Sequence, residues 1–368
     1  MPEQKEANEK PKNKKRVAME INLAEIKKTI HRDFKDAKEF YLDEDNKRRL
    51  EDMGRLKRWF FTTIWLFKGL FLKLTHVRRI MLVVSLILIF VSASTTVGVN
   101  NVRVDSNLKI IGGIILLFIL MLELKDKLLA RDELIAGRSV QEALLPESTP
   151  KIPGWDVWLF SKPANDVGGD LIDYIYLKKD RFGLALGDVS GKGLPAALFM
   201  AKLQSTLRAL INEVESIDEL GTKINEIFHR DTVPKSFASL IYLELSSESN
   251  RLKMLNAGHI PPLILRNKRI LPTEKGDRAL GISRDSRFST RTIELKKGDL
   301  LIVYSDGVTE AQNEQGEFFG YERLITLLPD LEGKNVIRAG EDILKAVKDF
   351  VGEAPRHDDL SILLLKKQ

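Results

Sequence analysis

Five aspartates stand where this sequence offers chemistry: Asp170 closes "DVGGD", Asp188 closes "LALGD", Asp306 follows "LIVYS", and Asp358 and Asp359 precede "LSILLL". Each sits at the end of an apolar run of strand length, where packing asks for no charge. Carboxylates gathered from such ends repel one another and their pKa values rise, so a site that collects them normally contains cations. The chain has no cysteine and five histidines. That excludes disulfides, thiolate zinc sites and a cysteine nucleophile, and favours oxygen ligands. An oxygen shell suits Mg2+ or Mn2+, and two such ions sharing a water lower its pKa and aim hydroxide at a phosphorus or carbonyl centre.

Taken singly, each motif has a plainer reading. Gly187-Asp188 and Ser305-Asp306-Gly307 are common turn sequences, and Asp358-Asp359 also reads as a solvated pair. The loop Gly191-Lys192-Gly193 lacks P-loop spacing, and "SDGVTEAQNEQGEFFG" lacks the spacing of a calcium loop, with Glu310 read as support for that segment. His259 in "NAGHIPP" reads either as a base or, more simply, as a histidine bonded to its own turn. His357 is a neighbour of Asp358 and not a ligand.

The elements that must position these groups lie after Pro146. Strands are expected at Val157–Ser161, Leu171–Leu177, Phe182–Leu186, Phe237–Leu245, Leu252–Asn256, Leu263–Leu265, Arg291–Leu295, Leu300–Tyr304 and Ser361–Leu365, joined in part by short turns such as "KKDR" and "SSESN". Helices fit Leu194–Asn212, Ile217–His229 and Val336–Val351. A sheet-rich α+β domain over 147–368 follows, with helices covering the sheets.

In this order, "PANDVGGDLIDY", "LALGDVSGKGLPAALFMA", "NAGHIPPLIL", "GDLLIVYSDGVTEAQNEQGEFFG" and "HDDLSILLL" resemble the motifs of the bacterial serine phosphatases of the stage II sporulation protein E and sigma-factor-regulator type. These are a branch of the metal-dependent protein phosphatase 2C-like superfamily. The resemblance covers about residues 140–368. It implies an α-β-β-α sandwich and a pair of Mn2+ or Mg2+ ions held by Asp170, Asp188, Asp306, Asp358 and the Val189 carbonyl. Gly169, Gly307, Asp173 and Asp359 would stand behind these ligands, Asp173 either orienting water or, as a strand residue, serving the fold, and Asp359 supporting the shell or a weaker third metal. Two features depart from the eukaryotic branch. Ser190 occupies the position of a histidine general acid, and a hydroxyl is too weak an acid for that task; the general acid is left unassigned. The phosphate-binding arginine has no counterpart, and Lys192 is either a substitute or a solvated loop lysine.

Ahead of this domain, residues 1–56 form a charged tail and an exposed helix with Leu23, Ile26, Ile30, Phe34 and Ala37 at helical spacing. Residues 57–79, rich in Trp and Phe but interrupted by Lys68 and Lys73, suit the lipid interface. Residues 80–99 carry no charge over twenty positions, and 108–124 form a shorter apolar stretch. Together they predict a two-helix transmembrane hairpin over 80–124, with a buried soluble helix as the alternative for the second stretch. Flanking lysines and arginines place both ends, and hence the phosphatase domain, on the cytoplasmic side of a bacterial inner membrane. Residues 125–146 read as a helical linker and a candidate homodimer seam. The net charge of +6 is concentrated in the first third, beside the apolar segments, and indicates membrane lipid rather than nucleic acid.

The resulting expectation is a membrane-anchored serine/threonine phosphatase. By resemblance, its substrate is a phosphorylated STAS-domain anti-sigma-factor antagonist in a partner-switching pathway. A tethered docking module of the same fold and a hydrolase of small phosphoesters are the alternatives.

Overall fold

The computed structural model describes residues 38, 42, 44–51, 53–90, 94–99, 102–178, 180–233 and 236–368. The chain divides into two compact units, residues 1–127 and 128–368. The helix expected around Leu23–Ala37 lies outside the described residues.

In the first unit, helices α1 (Glu44–Glu51), α2 (Arg55–Lys73) and α3 (His76–Phe90) are followed by a strand pair, β1 (Ser94–Val99) and β2 (Val102–Asn107), and by α4 (Leu108–Leu144). The expected span over 80–99 is therefore not one helix. It ends at Phe90, and Ser94, Thr95, Thr96 and Val97, which are poor helix formers, enter a strand. At 15 residues α3 is about 22 Å long. Among the described residues no helix is long and apolar enough to cross a membrane. The second apolar stretch is bounded by Lys109, Glu123 and Lys125. Within the unit, α3 meets the start of α4 closely. The Ser85 hydroxyl donates to the Gly112 carbonyl at 2.7 Å, and Arg78 pairs with Glu123 and Asp126 at 2.6 Å each.

The second unit takes in the end of α4 and then a sandwich. One sheet has the order β10-β7-β6-β5-β4, formed by Arg291–Glu294, Arg251–Ala257, Ala238–Ser246, Arg181–Val189 and Asp170–Tyr176. The other has the order β3-β12-β11-β8-β9, formed by Trp155–Lys162, Leu360–Lys367, Leu300–Tyr304, Leu263–Arg266 and Arg269–Pro272. Every pairing within these sheets is antiparallel. The helices are α5 (Leu194–Leu210), α6 (Ile217–Asp231), the one-turn α7 (Asp306–Thr309), α8 (Gly320–Leu327) and α9 (Val336–Val351).

Strand alternation sorts side chains into three layers of core. Leu184, Leu186, Ile241, Leu243, Val303 and Leu363 fill the space between the sheets. Ala185, Val189, Leu171 and Tyr242 face the other way, onto Leu203 and Leu207 of α5 and Phe228 of α6. Leu364, Ile362 and Ile302 pack against Ile343 and Val347 of α9. The order is helix, sheet, sheet, helix. The strand expected at Leu263–Leu265 is β8; its partner β9 and the helices α7 and α8 have no counterpart among the expected elements.

Candidate active site

Asp170 opens β4 and Asp188 lies next to the end of β5, and the antiparallel register sets them directly opposite each other. Both share parity with inward-facing neighbours, Ile172 for Asp170 and Leu186 for Asp188, so both point into the gap between the sheets. The second sheet brings its own pair to this edge. Asp306 follows β11 and Asp358 precedes β12, and these strands are hydrogen-bonded neighbours, with the Ser305 amide donating to the Ser361 carbonyl at 2.9 Å.

Electrostatics register the convergence. Burial, then the Asp188 charge, holds Asp170 well above the ordinary carboxylate range. Burial raises Asp188 to about 7, with Asp306, Asp358 and Asp359 adding to it. Asp306 is raised by burial, then by Asp358 and Glu310. Oδ2 of Asp170 is buried with no hydrogen-bond partner among the described residues.

These groups fit a hard divalent cation, because every donor is oxygen, one buried oxygen is orphaned and mutual repulsion is what a cation relieves. The Val189 carbonyl lies at the same place. A Cβ on Gly169 would come within 2.9 Å of it, so only glycine lets the loop lie this close. Among the described residues, no three ligand-type side chains already stand as a finished shell. Asp358 instead pairs with Lys192 at 3.2 Å, and Lys192 also donates to the His357 carbonyl at 2.5 Å. Lys192 thus stands at the site rather than as a free loop lysine.

The two acidic residues expected to stand behind the ligands are placed differently from each other. Asp173 is three positions from Asp170 and so faces the helices. Its buried carboxylate accepts from Arg208 at 2.6 and 2.8 Å, away from the metal-ligand edge. Asp359 accepts from the backbone N–H groups of Ala164 at 2.7 Å, Gly169 at 2.6 Å and Asp170 at 3.4 Å. It therefore fixes the loop that carries Asp170. Gly307 is pressed against the Asp359 carbonyl, leaving no room for a Cβ.

The Ser190 hydroxyl accepts from the Phe237 amide at 2.9 Å and so serves the loop. His259 is buried between the sheets. Its Nε2 lies 3.1 Å from the Tyr304 carbonyl and must donate there, leaving Nδ1 to accept from Ser239 at 2.7 Å. Burial lowers its pKa to about 4. This is a neutral structural histidine.

One participant has no sequence motif. The Gln141 side chain, on α4, donates to the Gly168 carbonyl at 2.8 Å and accepts from the Gly168 amide at 3.1 Å. Gln204 on α5 donates to the Leu144 carbonyl at 3.0 Å. The end of α4 is thus fastened to the Asp170 loop and to α5. A glutamine near the polar end of a long helix carries no local signal for such a role.

Comparison with known proteins gives the arrangement its relatives. The family model described as stage II sporulation protein E (SpoIIE) matches residues 178–368. Protein IcfG of Synechocystis sp. is 30% identical over 275 residues, covering 66% of this chain and 42% of that protein. Phosphoserine phosphatase RsbU of Bacillus subtilis is 26% identical over 242 residues, covering 65% of this chain and 71% of RsbU. The chain thus spans less than half the length of IcfG. Among solved structures, the SiaA-PP2C domain of Pseudomonas aeruginosa superposes with a TM-score of 0.58 at 20% identity, covering 66% of this chain and 99% of that domain, which shows a common fold.

Proposed function

The chain belongs to the stage II sporulation protein E (SpoIIE) family, and from that premise we propose that it is a metal-dependent protein phosphatase acting on phosphoserine or phosphothreonine. The observation that carries this reading is the meeting of Asp170 and Asp188 from one sheet with Asp306 and Asp358 from the other, with pKa values raised at three of the four. A pair of Mn2+ or Mg2+ ions, when bound, would neutralise phosphoryl charge and acidify a water for attack.

The four aspartates and the Val189 carbonyl would hold those ions. Asp359 keeps Asp170 in place by binding the backbone on either side of Gly169. Lys192 sets a positive charge beside Asp358 on the open side of the site, where an incoming phosphate carries its negative charge. His259 is enclosed, and the Ser190 hydroxyl, which accepts from the Phe237 amide, is too weak an acid, so the group that protonates the leaving serine oxygen is left unassigned.

The proposed substrate is a phosphorylated STAS-domain protein in a partner-switching pathway. This rests on the family resemblance and on the likeness to a relative named a phosphoserine phosphatase. The test is Mn2+-dependent release of phosphate from such a protein by the full chain and by Asp306→Asn. Activity in the wild type and its loss in the variant are expected. No release by folded, metal-supplied wild type would exclude this substrate class.

Membrane attachment through the first unit is part of the proposal. Its support is the exposure of Trp59, Phe60 and Phe67 on α2, Ile80 and Phe90 on α3, and Phe118 and Met121 on α4. Co-sedimentation of the full chain with anionic vesicles is expected; recovery of the chain entirely in the supernatant would remove this part. The cytoplasmic placement of the phosphatase domain, and dimerisation through α4, remain part of the same reading. The fastening of Gln141 to Gly168 supports a route from α4 to the site.

A further inference from the structure

Beside Asp358 and Gly307 lies a cleft of about 360 Å3 that none of the proposed chemistry uses. Its apolar side comes from Phe160 on β3 and from Leu344 and Val351 on α9. Three cations stand around it: Lys162 at the end of β3, Lys348 in the last turn of α9, and Arg356 in the segment leading to Asp358. All three are exposed, and none is paired with a carboxylate among the described residues. Lys348 alone could be explained as answering the negative end of α9. Lys162 and Arg356 arrive from other segments, so helix capping does not account for the group. The only carboxylate lining the cleft is Asp358, which belongs to the metal edge. Lys162 and Arg356 also line a neighbouring open hollow of about 590 Å3, together with Arg138 and Asp166.

Resting on the phosphatase reading, we propose that this cleft holds the stretch of substrate polypeptide next to the phosphoserine and selects for an apolar residue and a carboxylate in it. A phosphoryl group bound at Asp306 and Asp358 leaves the adjoining peptide at the mouth of the cleft, because Gly307 and Asp358 are themselves part of its wall. A volume of this order suits a few side chains. The unpaired lysines and arginine complement an acidic residue, while the Phe160, Leu344 and Val351 surface takes an apolar one. Charge of this kind discriminates between partners mainly by rejecting like charge.

The experiment uses the full chain with Mn2+ and three probes. These are p-nitrophenyl phosphate, a phosphoserine peptide with Glu and Leu on both flanks, and a peptide of equal length with Lys and Ser in their place. Exposed ion pairs each contribute a small factor, so two or three together are expected to give about a fivefold preference in kcat/KM for the acidic peptide. That preference should vanish or reverse in Lys348→Glu/Arg356→Glu. The wild-type ratio is read without relying on any variant, and Lys162→Glu gives a second, independent reversal. Equal use of both peptides by the wild type, or a preference untouched by the reversals, overturns the assignment. Hydrolysis of p-nitrophenyl phosphate with neither peptide used also overturns it while leaving phosphatase chemistry standing. Failure on all three probes takes the phosphatase reading down first.

Discussion

Arg208→Met separates two accounts of Asp173. One has it orienting water behind the metals and the other has it serving the fold; its bidentate ion pair with Arg208 on the far face of β4 supports the second. Removing one partner of a buried pair costs roughly 3–5 kcal/mol, because the other charge is left buried. Asp173 has no exposed surface, but the Arg208 side chain is 50% exposed, so water already screens part of the interaction. A loss of about 2–3 kcal/mol is therefore expected for Arg208→Met. Asp173→Asn in that background should recover most of it, since a neutral amide does not require the cation. A coupling of at least about 1 kcal/mol should appear in the double-mutant cycle.

The chain contains two units, so the assay is hydrogen exchange of the Leu171–Tyr174 amides under increasing urea, which follows β4 itself. Activity is measured in parallel. A structural role predicts that Asp173→Asn leaves kcat within about threefold, whereas loss of a group assisting proton transfer costs about a hundredfold or more. A collapse of kcat in Asp173→Asn with β4 exchange unchanged would refute the structural account.

Metal should stabilise the fold as well as act in it. Mn2+ at about a hundred times its dissociation constant is expected to add about 2.7 kcal/mol, seen as a raised calorimetric midpoint, and Asp306→Asn should lose that shift while being no less stable without metal, because one repelling carboxylate is gone. Gly307→Ala drives a Cβ into the Asp359 carbonyl and should cost about 2 kcal/mol or more, with loss of the metal-induced shift; an alanine variant with a wild-type midpoint would contradict the packing. His259 is neutral in the fold with its pKa lowered to about 4 from the usual 6.5, so its contribution is complete above pH 6.5 and disappears as pH falls toward 4, about 3 kcal/mol in all. Asp170, Asp188 and Asp306 have the opposite sign, their raised values favouring the fold as pH falls, so urea titrations of wild type and His259→Asn between pH 7.5 and 4.5 isolate the histidine as the difference in slope. Gln141→Ala removes both bonds to Gly168 and should lower kcat and raise exchange at Val167–Gly169, while unchanged exchange there would sever α4 from the loop.

The second unit was largely legible because its strands alternate cleanly and end in turns. The expected strands at 171–177, 182–186, 300–304 and 361–365 correspond to β4, β5, β11 and β12 within a few residues. A role for Asp173 behind the metals follows only from the family resemblance, and an odd separation of three in a strand sends it and Asp170 to opposite faces. The period of two, applied to β4, would have set it apart. Asp358 and Asp359 differ in the same way: one faces Lys192 at the open edge, and its neighbour turns inward to the Ala164–Asp170 backbone. In the first unit, apolar content over 80–99 was read as one helix, while Ser94 to Val97 followed local preference for a strand. Gln141 was not legible at all, because its importance arises only from the approach of α4 to a loop 27 positions away.

That approach constrains how the site can be regulated. The loop from Ala164 to Asp170 is held from one side by the Asp359 carboxylate and from the other by the Gln141 amide. Asp359 belongs to the sandwich and cannot move without disturbing β12, whose first residue follows it. Gln141 belongs to α4, a single helix from Leu108 to Leu144, so rotation or sliding at its end either breaks two hydrogen bonds or carries Gly168 with it. Gly168 is two residues from Asp170, whose orphaned Oδ2 already makes it the most costly carboxylate to hold in place without a cation. A shift of about 1 Å in Gly168 is enough to spoil hydrogen-bond-like ligand geometry. Small displacements of α4 should therefore change metal affinity before they change the fold, and the measurable order of events is loss of the Mn2+-induced shift first, with β4 and β5 still protected from exchange.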